Sequence, residues 1–123
     1  MPFEIEIRGD YVAVRLFGVI TPGDLERLAD EGEALELALP ADMNRISDLT
    51  GVLSFDIKFG AVLNLAKRRE SRTLRNPVKS AIVAIQPVQV GFARMFETLN
   101  NNPQITVRIV HSHQSALDWF AEK

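Results

Sequence analysis

Apolar and polar residues alternate from the start of the chain. Phe3, Ile5 and Ile7 are interleaved with Glu4, Glu6 and Arg8, a period of two that marks a strand with one wet face. Gly9-Asp10 is a turn signal. Val12, Val14 and Leu16 then resume the alternation, so the first two strands are expected to form a hairpin that ends near Gly18.

The period then changes. Leu25, Leu28, Gly32, Leu35 and Leu39 mark one helical face between Thr21-Pro22-Gly23-Asp24 and Pro40. Thr21 is a capping residue, Pro22 suits the first helical position, and Asp24 places negative charge in the first turn. Residues 45–49 predict a short third strand. Residues 50–54, with Gly51, predict a loop. Ser54 is then expected to cap a second helix carrying Phe55, Phe59, Val62 and Ala66 on one face. Asn76-Pro77 closes that helix.

Residues 78–85 form a nearly continuous apolar run, as in a central strand covered on both faces. Phe92, Met95, Phe96 and Leu99 fall at helical spacing and are expected in the core. Ile105, Val107 and Ile109 predict a fifth strand. Ser112 is a cap for a last helix with Ala116, Leu117 and Phe120 inward and Trp119 at its flank. The predicted order is β-β-α-β-α-β-α-β-α. Right-handed crossovers then give a mostly parallel, mixed five-stranded sheet with four helices. Ligands of such sheets lie at the carboxyl ends of the strands, which here lead into residues 18–21, 48–54, 86–89 and 111–112.

Composition narrows the class. The 123 residues are 46% hydrophobic and 24% charged, with no repeat or linker, so one globular domain spanning residues 1–123 is expected. A formal net charge of −2 and a pI of about 5.7 provide no bulk attraction to nucleic acid or anionic membranes. The chain has no cysteine, which removes disulfides, thiolate metal sites and cysteine nucleophiles. The acidic, alternating first residues do not read as a signal peptide. No apolar run approaches the length of a membrane span. A soluble, cytoplasmic α/β domain is expected.

Four stretches resemble a known family. They are Gly18-Val19-Ile20-Thr21, Ile46-Ser47-Asp48-Leu49, Gly91-Phe92-Ala93-Arg94-Met95-Phe96 and Ser115-Ala116-Leu117-Asp118-Trp119-Phe120. With the order of elements, they are similar to the SpoIIAA-like family of small bacterial proteins, a STAS/SEC14-like group. The resemblance spans nearly the whole chain and implies the STAS fold of anti-sigma-factor antagonists. In those antagonists an aspartate precedes a serine pair after the third strand, and a partner kinase phosphorylates one serine. The comparable stretch here is Phe55-Asp56-Ile57-Lys58-Phe59-Gly60. Asp56 matches, but Ile57 and Lys58 occupy the serine positions, so the resemblance implies a domain without the usual phosphoserine switch. Thr50 and Ser54 are the nearby hydroxyls.

The candidate residues fall into groups. Asp48, Val52, Leu53, Phe55, Asp56, Lys58 and Phe59 form a candidate binding region at one strand-to-helix junction, with an apolar character suited to a partner or an acyl chain. Asp48 and Asp56 are also the one carboxylate pair with acid–base potential, against a simpler role in tying a loop and favouring a helix start. Lys67, Arg68, Arg69, Arg72 and Arg75 form a candidate basic patch for phosphate, an acidic partner or lipid headgroups; a solvated helix end is the simpler reading. His111 and His113 are too few ligands for a metal. The glycines match neither a dinucleotide fingerprint nor a P-loop, and a nucleophile elbow is missing.

No catalytic residues, metal or cofactor are therefore expected. The favoured function is a non-enzymatic regulatory or binding domain that recognises a partner protein through residues 48–59. The alternative is binding of a lipid or another apolar molecule, with peripheral membrane association. A homodimer is compatible with the apolar positions around the second and third helices.

Overall fold

The computed structural model describes residues 2–122; Met1 and Lys123, the ends of the expected domain, lie outside the described residues. The elements are β1 (Phe3–Arg8), β2 (Tyr11–Ile20), α1 (Pro22–Ala38), β3 (Asn44–Phe55), α2 (Phe59–Glu70), β4 (Val78–Val83), α3 (Pro87–Leu99), β5 (Ile105–Val110) and α4 (His113–Ala121). The expected order and fold class are observed. The five strands lie side by side in chain order. β1 runs antiparallel to β2, and β2 through β5 are parallel.

That strand order dictates the layers. Each right-handed crossover between neighbouring parallel strands places its helix on the same face. α1, α2 and α3 accordingly pack in a row over Val14, Leu16, Leu49 and Ile82. α4 covers the opposite face of β3–β5, where Ile46, Ala81 and Val83 meet Ala116 and Trp119. β4 is covered on both sides, which explains the apolar stretch around Lys79 and Ser80 in its sequence. Trp119 is only 5% exposed and anchors α4, whereas the sequence pattern placed it at the flank. Met95, expected in the core, is 37% exposed.

Local chemistry fixes the element starts. Arg8 pairs with Tyr11 across the hairpin. Gly9 has φ +61 in its two-residue loop, a conformation glycine adopts without steric cost. At α1, Thr21 Oγ1 accepts from Asp24 N at 3.3 Å and Asp24 Oδ2 accepts from Thr21 N at 2.8 Å. This reciprocal box satisfies two otherwise orphaned donors. Ser112 Oγ accepts from Ser115 N at 3.0 Å and starts α4.

The junction after Asp48 differs from expectation. Residues 50–54 are not a loop, and Ser54 does not cap α2. β3 continues to Phe55, pairing Phe17 with Gly51, Gly18 with Val52, Val19 with Ser54 and Ile20 with Phe55. The partner strand makes this possible: Gly18 takes φ +75 within two register shifts that keep β2 extended to Ile20. A Cβ on Gly51 would lie 2.9 Å from Phe17 Cβ. Gly51 is thus a close-approach glycine within an irregular strand pair, not a loop residue. α2 starts four residues later than expected, after Lys58, with no side-chain cap.

Candidate functional site

Among the described residues, the carboxyl ends of the parallel strands carry most of the large exposed apolar side chains. Val19 ends β2, Leu53 lies near the end of β3, and Phe59 opens α2. Ile85 follows β4, and Val88 lies in the first turn of α3. Leu53 is 78% exposed and Phe59 55%. Period two in the extended β3 explains the split between Val52, which is buried in the core, and Leu53. Phe55 is half-buried, and its ring stacks on Phe92 with centroids 4.2 Å apart and planes 6° from parallel.

The edge is held by a residue that the sequence pattern did not single out. Gln89, in the first turn of α3, is 1% exposed. Its Nε2 donates to Thr50 O (3.2 Å) and Val52 O (3.0 Å) of β3. Its Oε1 accepts from Ile85 N and Gln86 N, both at 3.1 Å. One amide thus joins the irregular part of β3 to the β4–α3 connection. The only sequence signal was its place two residues after Pro87, in a helix's first turn.

Asp48 and Asp56 do not form an acid–base pair. Along extended backbone, eight residues separate them by roughly 20–25 Å. Asp48 Oδ1 accepts from Thr50 N (2.8 Å) and Thr50 Oγ1 (2.6 Å), which ties down the strand where its register shifts. Asp56 is exposed, and its backbone N donates to Ile20 O at 2.8 Å. Lys58 is exposed at the N-cap of α2. His113 Nε2 shares a 2.8 Å hydrogen bond with Tyr11 Oη, linking α4 to β2. Among the described residues, no three acidic or histidine side chains gather to hold a metal ion.

The basic run is largely consumed inside the molecule. Arg68 makes a two-pronged contact with Glu33, at 2.7 and 2.8 Å, and reaches Asp30 at 2.6 Å. Arg69 Nη1 donates to Glu36 Oε1 at 2.8 Å, as does Arg45 Nη2 at 2.7 Å. Arg72 approaches Glu36 Oε2 at 3.2 Å as an ion contact, without hydrogen-bond alignment. Arg75 N donates to Asp42 Oδ2 at 2.7 Å, and its guanidinium bonds to Glu36 O and Leu39 O at the end of α1. Lys67 is exposed and has no ion pair among the described residues.

The electrostatics follow from these contacts. Hydrogen bonds from Arg68 hold the Glu33 carboxyl below the usual range, against an opposing effect of burial. Burial pushes Asp42 up, but the bonds from Arg75 outweigh it and the net shift is down. Arg68 is raised by its bonds to Glu33 and Asp30. Arg45 is lowered to about 10, first by burial and then by Arg69, with Glu36 opposing.

A cavity of about 80 Å³ lies between the sheet and the α1–α3 layer, and a groove of about 350 Å³ separates α1 from α2. Neither is lined by Val52, Leu53, Phe55 or Phe59. No described helix is long and apolar enough to cross a membrane.

No family model matches the sequence, and no curated protein matches it. Solved structures do match. One is a protein of the DUF3478 family with a SpoIIAA-like fold from Shewanella loihica, with TM-score 0.65 and 18% identity, covering 97% of this chain and 92% of that one. The anti-sigma factor antagonist SpoIIAA in its unphosphorylated form matches with TM-score 0.58 and 16% identity, covering 95% and 94%. The phosphorylated form of SpoIIAA, a Bacillus cell fate determinant, matches with TM-score 0.55 and 18% identity, covering 95% and 97%. The chain therefore has the SpoIIAA-like, or STAS, fold, as the sequence resemblance implied.

Proposed function

We propose that this is a non-enzymatic, cytoplasmic STAS-type regulatory domain that recognises a partner protein through residues 48–59. One observation carries the reading. Leu53 and Phe59 are left exposed at the carboxyl edge, while Gln89 and the Phe55–Phe92 stack fix the backbone that presents them. A preorganised apolar edge loses little entropy on docking. Ile57 and Lys58 stand where the antagonists carry serines, so partner exchange here does not depend on a phosphoserine at those positions. Affinity capture from the native cytosol, then titration with the purified partner, tests this. The wild type retains a partner that Leu53→Ser/Phe59→Ser and Lys58→Glu lose and Lys67→Ser keeps. Equal retention by all four proteins contradicts it. Sedimentation of the same variants separates a foreign partner from a second copy of the chain.

A second reading, binding of an amphiphilic small molecule, is favoured by the cavity under α1 and α2. It uses a different part of the fold from the candidate region at Val52, Leu53, Phe55 and Phe59, none of which lines the cavity.

A further inference from the structure

The cavity lining is of two chemical kinds. Leu25, Leu28, Leu49, Leu65 and Phe92 give the lining its apolar surface, and Arg45, Ser47, Arg69 and Ser80, together with the Arg68–Glu33 pair, its polar groups. The strand register explains the polar corner. Arg45 pairs with Ser80 across β3 and β4, and Ser47 lies two residues on, hence on the same face. Gly32 of α1 leaves room for the guanidinium: a Cβ there would lie 3.3 Å from Arg45 Nη2.

The charge in this corner is out of balance. The guanidinium groups of Arg45, Arg69 and Arg72 surround one carboxylate, Glu36; Glu33, which also lines the cavity, is paired with Arg68 and feels Arg72 more weakly. Arg45 engages Glu36 through Nη2 and Arg69 through Nη1, and a guanidinium carries five N–H donors. Buried cations in excess over anions are costly, and an incoming anion offsets that cost. The burial and the neighbouring Arg69 that lower Arg45 act in the same sense.

Size and access limit the ligand. A dry cavity of about 150 Å³ accommodates benzene, and a water molecule takes about 30 Å³. A space of about 80 Å³ is roughly half of the former and suits a ligand of about three or four heavy atoms, not an acyl chain. The α1–α2 groove shares Leu25, Ala29, Leu65 and Arg68 with the cavity and provides a path outward. Arg68 spans that path through its pairs with Asp30 and Glu33.

We propose that the cavity binds a monocarboxylate of acetate size, its carboxylate on Arg45 and Ser80 and its methyl group toward the apolar lining of Leu28 and Phe92. The proposal rests on the amphiphile-binding reading and adds the headgroup, the size and the orientation. It is independent of the carboxyl edge.

The test is a titration of the isotope-labelled full chain with formate, acetate and octanoate, and with ethanol as the uncharged match. Backbone amide shifts in two-dimensional NMR are the readout. Formate and acetate are expected to move the amides of Ala29, Ser47 and Ser80, leaving Asp10 and Asp118 in place. The alcohol is expected to bind about tenfold or more weakly, the size of one lost charge-assisted hydrogen bond, and octanoate weakly because it is too long. Ser80→Leu, which fills the corner, is expected to abolish the shifts; if it does not fold, the wild-type ligand series decides. Equal binding of alcohol and acid overturns the carboxylate assignment while leaving amphiphile binding intact. No shift with any of the four overturns both.

Discussion

The two ends of α2 are built on opposite logic. At its start, Phe59 lies in the open, as does Leu53 near the end of the preceding strand, although both are residues that a core would readily bury. At its far end, Arg69 and Arg72 are largely enclosed around Glu36, although both are residues that water would readily solvate. The contrast separates recognition from cohesion. A side chain left out of its preferred environment by a fixed backbone is available to something else, whereas a charge drawn into a network is already in use.

Breaking the charged seam should have the largest effect. Glu36→Ala leaves Arg45, Arg69 and Arg72 without their common carboxylate and is expected to cost about 3–5 kcal/mol, read as a lower midpoint in urea unfolding. Breaking the clamp at the other end comes next. Gln89→Ala removes four hydrogen bonds and leaves Val52 O and Gln86 N to be resolvated. A loss of about 2–4 kcal/mol is expected, with faster hydrogen exchange confined to residues around 50–55 and 85–89.

Acid sharpens the same contrast. Glu33 and Asp42 are held below their ordinary values by Arg68 and Arg75. A depressed folded-state value means that the unfolded chain binds protons first as pH falls. Their stabilisation is therefore full above the unfolded values, near pH 4, and is lost as pH drops through the folded ones. Thermal unfolding measured from pH 6 to pH 2 should show a decline beginning near pH 5. That decline should be smaller in Arg68→Met, which lacks the Glu33 contact. A smaller effect is expected at the α1 cap, where Thr21→Ala should cost about 1 kcal/mol in the same assay.

How much of this was legible in the sequence follows the range of the interactions. The α1 cap spans only Thr21 to Asp24, so the sequence showed Thr21 as the cap and Asp24 as first-turn charge, though not the reciprocal bond between them. The nearly continuous apolar run of residues 78–85 revealed the burial of β4 on both faces. By contrast, Gly51 read as a loop because its constraint, Phe17 on the neighbouring strand, lies 34 positions away. That misreading placed the start of α2 at Phe55 and hid the alternation that buries Val52 and exposes Leu53. The basic run was plain, but its acidic partners lie on α1 and in the α1–β3 connection, 33 or more residues earlier, at positions a local charge pattern does not link. Gln89 gave almost no signal, since an amide's partners are decided by the fold.

The most direct test pairs stability with binding in one protein. In Leu53→Ser/Phe59→Ser, thermal unfolding and affinity for the captured partner should be measured together. Stability is expected to stay within about 0.5 kcal/mol of wild type, as for exposed positions generally, while affinity falls at least about tenfold, or 1.4 kcal/mol. Unchanged affinity, or a loss of stability as large as that of Gln89→Ala, would contradict the claim that this edge is presented for recognition rather than held for the fold.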